Sequence, residues 1–454
     1  MAGGNFEQGK PKIQPGVYIN TRSGRTIANT DGRGTVLLPL LNSEWGTSGT
    51  SVTVTAENPD ASFAELGHRI YDDAATNTNS LLIREALKRA AAVIAYTVGQ
   101  GVPATANLPG TDGENATPGL TITAAKGGSL GNLIKVVITE EPNSTFKVII
   151  LLGNEAVGEY KGLTTIGDLP GVQASGWVTF SGDAAEALVP TAGLNLADGT
   201  DAEANNDDFE AFLQTLDALH FDVICVPTAD QAILTATLSK VRQLRDGNGK
   251  KIRAVFPNFP ADYEGVTNVV NGYACDAGNL TAQTACAWVA GARAAAKYTQ
   301  TLTFSPVEGA TEVYPAVEDM DETILSGGFA FATDQDGTVV AYYDINSLVS
   351  FNAEKDERWR KNRILSVFDE LDARLQRLLT PGKFDNDEDG FKIREGLITN
   401  LLLEMQSDKA IQNVDEENDV YIDRAGSVDD HTVVQIAIQP LDSTDKTYVT
   451  AIVK

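Results

Sequence analysis

Helical periodicity stops near residue 97 and does not return until about residue 209. That interruption constrains the fold more than any other feature, because the segments on either side share one pattern and the stretch between them has another. From about 27 to 96 the chain carries a buried-strand candidate, Thr35-Val36-Leu37-Leu38-Pro39-Leu40. A helix is predicted over about 79–95, where Leu82, Ala86, Leu87, Ala90, Val93 and Ile94 recur at helical spacing, with Asn79 or Ser80 as its cap. From 209 onward the pattern predicts helix 209–219, strand 221–226, helix 229–245, strand 252–256 and an Ala-rich helix at about 281–298. Such alternation predicts a partly parallel sheet with helical crossovers. Between the two stretches, Gly, Thr and Pro punctuate short apolar runs at 133–138, 146–152 and 176–180, the signature of a small sandwich or barrel.

The expected fold class is α/β (α+β) and multi-domain: a mixed-sheet α/β core, an inserted small β-sandwich or barrel, an α+β C-terminal domain and extended terminal arms. The boundaries expected are 1–26 for an N-terminal linking arm, 27–96 plus 198–351 for the α/β middle domain, 97–197 for the outer insert, and 352–454 for the C-terminal domain. In the last domain, helix 354–379 carries Ile364, Phe368, Leu371, Leu375 and Leu378 on one stripe and ends at Pro381-Gly382. A second helix is predicted at 391–407, then a strand at Val420-Tyr421-Ile422 and a terminal hairpin over 432–454.

The two chain ends are unusual. Val17-Tyr18-Ile19 alternates like a strand but has few neighbours in sequence to pair with. At the other end Ile436, Ile438, Tyr448, Val449, Thr450 and Ile452 belong to a hairpin whose second strand runs to the last residue and is apolar on both faces. That pattern fits a strand covered on both sides. A terminal strand is otherwise an open edge, a liability in a water-exposed protein.

Composition narrows the function classes. With 62 acidic and 35 basic residues the formal charge is −27, which argues against a nucleic-acid groove. Copies of such a chain repel one another, so a homopolymer needs strong directional contacts. No run approaches the ~18 apolar residues of a membrane span. The start lacks an apolar signal core, so synthesis in the cytosol without general secretory export is expected. Cys225, Cys275 and Cys286 form no paired motif and read as free thiols.

Each candidate catalytic or ligand motif departs from its pattern. Asp385, Asp387 and Asp389, followed by Gly390, imitate the first half of a calcium loop, but the twelfth position is Gly396 where a bidentate Glu is needed. A solvated acidic loop leading into a helix is the better reading. His220 and Asp222 share a strand face without a nucleophile elbow, and His68 and His431 lack ligand spacing. Gly247-Asn248-Gly249-Lys250-Lys251 lacks the rest of a phosphate loop. The Gly-rich run 126–132 precedes a strand, so it makes a poor dinucleotide site. No catalytic residue and no cofactor is assigned. One local departure stands out: Arg358, Arg360, Lys361 and Arg363 place four positive charges within six residues of an acidic chain. They form either a solvated helix face offset by Glu354, Asp356 and Glu357, or a dock for an acidic partner.

Several segments together resemble one family. Pro15-Gly16-Val17-Tyr18-Ile19, Gly128-Ser129-Leu130-Gly131-Asn132, 221–227, 279–304 with Trp288-Val289-Ala290-Gly291 inside it, Lys361-Asn362-Arg363-Ile364-Leu365 and 440–448 are similar, in this order, to contractile phage tail sheath proteins of the Gram-positive phage or phage-tail-like bacteriocin branch. The resemblance spans most of the chain and implies a structural role without catalysis. Subunits would stack as hexameric rings in a helical lattice around a tail tube protein, with baseplate and tail terminator proteins as further partners. Neither nucleic acid nor membrane would be contacted directly. The terminal strands would add to sheets of neighbouring subunits, and the lattice would contract to drive the tube through an envelope. Location in the virion tail or bacteriocin particle, after assembly in the host cytoplasm, follows from the same resemblance. On it, Arg358, Arg360, Lys361 and Arg363 become candidates for facing the tube. The competing class is a cytosolic α/β enzyme with a β insertion, a carboxylate-based hydrolase.

Overall fold

The computed structural model describes residues 2–4, 16–18, 34–109, 118–170 and 176–453. Seven strands form the central sheet in the order Gly328–Phe329, Val266–Val269, Arg253–Pro257, Val223–Cys225, Thr35–Leu40, Ala92–Thr97, Ser51–Thr55. All pairs are parallel except the last, where Ser51–Thr55 runs antiparallel at the edge. The sheet therefore draws strands from both sides of the β-rich stretch, and the α/β class expected from the pattern is the class observed.

Both faces are covered, which is why Thr35–Leu40 is a near-continuous apolar run. Leu37 joins Ile224, Ala254, Phe256 and Val266 on the face packed by helices Asn206–Thr215 and Gln231–Arg242. Val36, Leu38 and Leu40 join Val93, Ala95, Val255 and Val269 under helices Thr78–Leu87 and Ala282–Ala295. The Ala-rich composition of Ala282–Ala295 lets it approach its neighbour closely: a Cβ on Gly291 would stand 2.1 Å from the Ala86 carbonyl oxygen. Cys225 and Cys286 are buried in this layer with their sulfurs 3.4 Å apart, and Cys275 is half-buried.

Here the predicted helix over 79–95 needs correction. The helix is Thr78–Leu87, capped by Asn77, whose side chain accepts from Ser80 N at 2.9 Å. Val93 and Ile94 lie in the strand Ala92–Thr97, paired residue for residue with Thr35–Leu40. Apolar residues spaced for a helix were continued by β-branched residues that the sheet recruits, a tertiary contact overriding local periodicity.

The stretch between is a sandwich. One sheet orders Glu155–Leu163, Thr145–Leu152, Ile134–Glu141 and Thr191–Asn195; the other orders Val178–Gly182, Pro118–Ala124 and Thr105–Pro109. Ile122, Ile134, Val136, Val148, Ile150 and Val178 fill the space between them. Trp45, from the α/β layer, packs on Trp177 with ring centroids 5.4 Å apart and joins the two cores.

The chain leaves for the sandwich and returns at one crossing. Val102 and Thr200 bridge there, and Asn132 both accepts from Gly199 N at 2.8 Å and donates to Gly199 O at 2.9 Å. Gly128 sits in the crossing at φ +133°, where a Cβ would lie 1.9 Å from the Glu44 carbonyl oxygen. The Gly-rich run 126–132 thus serves close backbone approach, a use of glycine that needs no ligand.

In the C-terminal region, helices Asn362–Leu378 and Glu388–Ser407 enclose Val367, Ile398, Leu402 and Met405. The helix expected from 354 begins at Asn362. A short 3-10 turn, Glu357–Arg360, precedes it, capped by Asp356, and Lys361 between them is extended at φ −76° and ψ 120°. The second helix begins at Glu388, three residues earlier than expected from periodicity.

Candidate assembly surface at the chain ends

The C-terminal domain offers two small ladders. Val420–Asp423 pairs antiparallel with Val433–Ile436, and Ile411–Gln412 pairs with Gln439–Pro440. Each is two-stranded among the described residues, so their outer edges carry backbone groups free to accept another strand. Ile436 and Ile438 point inward with Val434, packed on the domain's own core. Alternate positions of that strand thus serve the subunit's own fold.

The expected terminal hairpin is absent from the single chain. After Gln439–Pro440 no strand forms through Val453, and Lys446 to Val453 are exposed. Tyr448, Val449, Ile452 and Val453 are 91%, 84%, 83% and 97% exposed, and Thr450 is exposed between them. An isolated strand cannot satisfy its ladder within one chain when no edge lies alongside. The two-sided apolar pattern remains, with nothing among the described residues covering either side.

The root of this tail is held. Leu441 N donates to Ala410 O at 2.8 Å. Lys361 reaches Asp445 through a direct ion pair, lies 3.3 Å from Asp442, and sits 4.9 Å from the Tyr343 ring centroid. Burial works to lower the Lys361 ammonium, but the hydrogen bond to Asp445 and the charge of Asp442 outweigh it and hold it above the usual lysine range. The cation that the sequence offered as tube-facing is therefore the clamp at the base of the tail.

The other three do not form a common surface either. Arg360 is buried and donates to the carbonyls of Ile324 and Leu325. Arg363 is half-buried on the helix. Arg358 alone of the four projects outward, its side chain 73% exposed and paired with Asp356 at 2.7 Å. The helical offset by Glu354 and Glu357 fails because residues 354–361 are not α-helical.

At the N-terminus Gly16–Tyr18 pairs in parallel with Ala2–Gly4. That corrects the expectation of a strand without a local partner: the intervening residues are long enough to bring two segments of the same arm into register. Ile19 lies outside the described residues.

Asp387 of the calcium-like loop caps helix Glu388–Ser407, accepting from Gly390 N at 2.8 Å, and the Asp385 carbonyl accepts from Arg394 at 3.1 Å. Asp389 lies in the first helical turn, where a negative charge is favourable. Asp222 Oδ2 accepts from Thr35 N at 2.8 Å, anchoring a strand end, while His220 is exposed.

Sequence reasoning missed the buried ionic contacts that seat the C-terminal domain on the α/β layer. Asp369 receives Arg245 at 2.8 Å and Arg253 at 2.9 Å. Within the middle domain Asp344 pairs with Arg293 and accepts from Leu302 N at 2.8 Å, and it accepts from Asn362 of the C-terminal domain at 2.9 Å.

Three family models match in succession along the chain. Residues 88–201 match the phage tail sheath protein beta-sandwich domain, 202–347 the phage tail sheath protein central domain, and 354–454 the phage tail sheath C-terminal domain. The phage-like element PBSX protein XkdK of Bacillus subtilis is 33% identical over 99% of both chains. The solved sheath tail protein of Desulfitobacterium hafniense is 32% identical, with a TM-score of 0.80 over 96% of this chain and 99% of that one. The sheath tail protein Lin1278 of Listeria innocua is 31% identical, with a TM-score of 0.72 over 95% and 96%.

Proposed function

The chain belongs to the phage tail sheath protein family, and from that premise we propose that it is the structural subunit of a contractile sheath. Copies polymerise as stacked hexameric rings in a helical lattice around a tail tube, and the lattice shortens to drive the tube through a target envelope. Baseplate and terminator proteins bound the polymer at its ends. The particle is a virion tail or a phage-tail-like bacteriocin, assembled in the host cytoplasm. The division into arm, middle domain, outer insert and C-terminal domain belongs to the same reading, with the middle domain split by the insert.

The observation that carries it is the uncovered apolar tail of Tyr448, Val449, Thr450, Ile452 and Val453, rooted by Lys361 beside open-edged ladders. Such a segment gains both ladder hydrogen bonds and cover by pairing with a second copy. Burying each Val or Ile side chain stabilises by about 1.5–3 kcal/mol. Main-chain bonds are directional and independent of side-chain charge, which suits a polymer of subunits carrying −27 each. Contacts that do not close on themselves build a filament. The arm around Val17, Tyr18 and Ile19 contributes in the same way from the other end. A contact to the tube narrows to Arg358. No observation favours the hydrolase as a second reading.

Removing residues 446–454, which spares the Lys361 partners Asp442 and Asp445, or separately 1–20, should leave dispersed chains with an unchanged melting temperature, while the full chain forms tubes. Negative-stain microscopy and sedimentation read this directly. Regular long tubes from either truncated chain would refute the linking role of that end.

A further inference from the structure

Beneath helix Asn362–Leu378, three guanidinium groups meet two carboxylates. The side chains of Arg245, Arg253 and Arg293 are 4%, 9% and 2% exposed, and those of Asp369 and Asp344 are 15% and 1% exposed. Asp369 serves Arg245 and Arg253, and Asp344 serves Arg293, so three cations against two anions leave one positive charge. Nearby Glu264 is already matched by Lys355. An uncompensated buried charge is costly. Burial lowers the Arg253 guanidinium; Asp369 opposes this, while Arg293 and Arg245 pull it further, and it rests at about 10. Arg293 Nε and Nη1 find no acceptor among the described residues.

Arg253, Arg293 and Asp369 among these groups border a cavity of about 640 Å³ at the N-terminal ends of Thr35–Leu40, Val223–Cys225 and Arg253–Pro257. Arg253 and Arg293 line it together with Lys250, Lys251 and Arg377. Its acids are Asp222, Asp369 and Glu370. Asp222 is engaged by Thr35 N, and Glu370 by Arg374 at 2.7 Å. Five cations thus line the cavity beside three occupied acids, although Lys251 also lies 3.6 Å from Asp372 and Lys250 donates to the carbonyls of Leu216 and Leu219.

We propose that this cavity binds a small tetrahedral oxyanion of the phosphate class. Arg293 and Arg253 supply recessed N–H donors, and Lys251 and Arg377 supply the outer charges. Charge-assisted bonds to an oxyanion would cancel the excess positive charge. The recession of the two arginines favours a free ion over a carboxylate that must bring a polypeptide with it. This goes beyond the sheath reading and does not depend on it.

Calorimetric titration of the dispersed full chain with inorganic phosphate and with pyrophosphate tests the site. Saturable binding is expected, stronger for pyrophosphate, with no equivalent response to sodium chloride at matched ionic strength. The double variant Lys251→Gln/Arg377→Gln should weaken binding roughly a hundredfold, the loss of two charge-assisted contacts at about tenfold each, and leave the phosphate-free melting temperature unchanged. Arg293→Gln should abolish binding, but it also breaks the pair with Asp344, so the outer double variant is decisive. Absent saturation, equal response to chloride, or unchanged affinity in the double variant would overturn the proposal. So would phosphate binding confined to assembled tubes, which would assign the ligand set to a second copy.

Discussion

Gly128 shows how much one residue can carry. Its backbone sits at φ +133°, and an added Cβ would lie 1.9 Å from Glu44 O and 2.2 Å from Glu44 C. Strain and clash therefore act together, and the obstacle is backbone, which cannot swing aside. Gly128→Ala should destabilise the chain by about 2–4 kcal/mol. Urea denaturation would read this as a lowered midpoint with an unchanged slope; a loss below about 0.5 kcal/mol would mean the crossing can open at little cost. The glycines were legible in the sequence, but their reason was not, because Glu44 lies far from them along the chain. Lys361 makes the same point. Its charge stood out against an acidic background, yet its partners Asp442 and Asp445 follow more than 80 residues later, and only their proximity turns an apparent docking cation into a clamp.

Among the elements, boundaries shifted where a cap or a neighbouring strand intervened. Periodicity placed the second C-terminal helix at 391, and the Asp387 cap moves its start to Glu388. Asp387→Ala should cost about 1 kcal/mol of stability, the usual worth of a side-chain cap. Thermal unfolding with and without calcium separates that role from metal binding: an equal loss in both conditions is the expected result. Stabilisation of the parent chain by calcium, absent from the variant, would restore the loop as a cation site. The Ala92–Thr97 strand is the converse case, with Val93 and Ile94 in phase with the preceding helix and drawn into the sheet by pairing with Thr35–Leu40. Helix phase and strand recruitment compete there, and burial on both faces of the sheet decides.

For the whole molecule, charge opposes what the terminal strands promote. With −27 per copy, repulsion between subunits reaches farther as salt falls, the Debye length growing from about 8 Å at 0.15 M to about 30 Å at 0.01 M. Tube formation followed by light scattering and microscopy should therefore be slower at low salt and approach a plateau near physiological ionic strength. Faster assembly at low salt would show that attractive ion pairs between subunits dominate. The seat of the C-terminal domain should respond differently, because Asp369 and Asp344 meet their arginines largely out of water, where screening is weak.

Local pattern was sufficient for the α/β class, for the change of character between 97 and 197, and for the resemblance to sheath proteins. Each rests on residues near one another in sequence, where alternation and apolar spacing record which faces must be buried. Contacts between distant residues were beyond its reach: the Gly128 crossing, the Asp369 and Asp344 pairings, the recruitment of Ala92–Thr97, and the Lys361 clamp. Their free energy depends on distances that exist only after the chain has folded. The last strand shows both limits at once. Its two-sided apolar pattern was plain in the residues, but among the described residues of the single chain it pairs with no strand, and the cover it calls for lies on another copy in the function proposed.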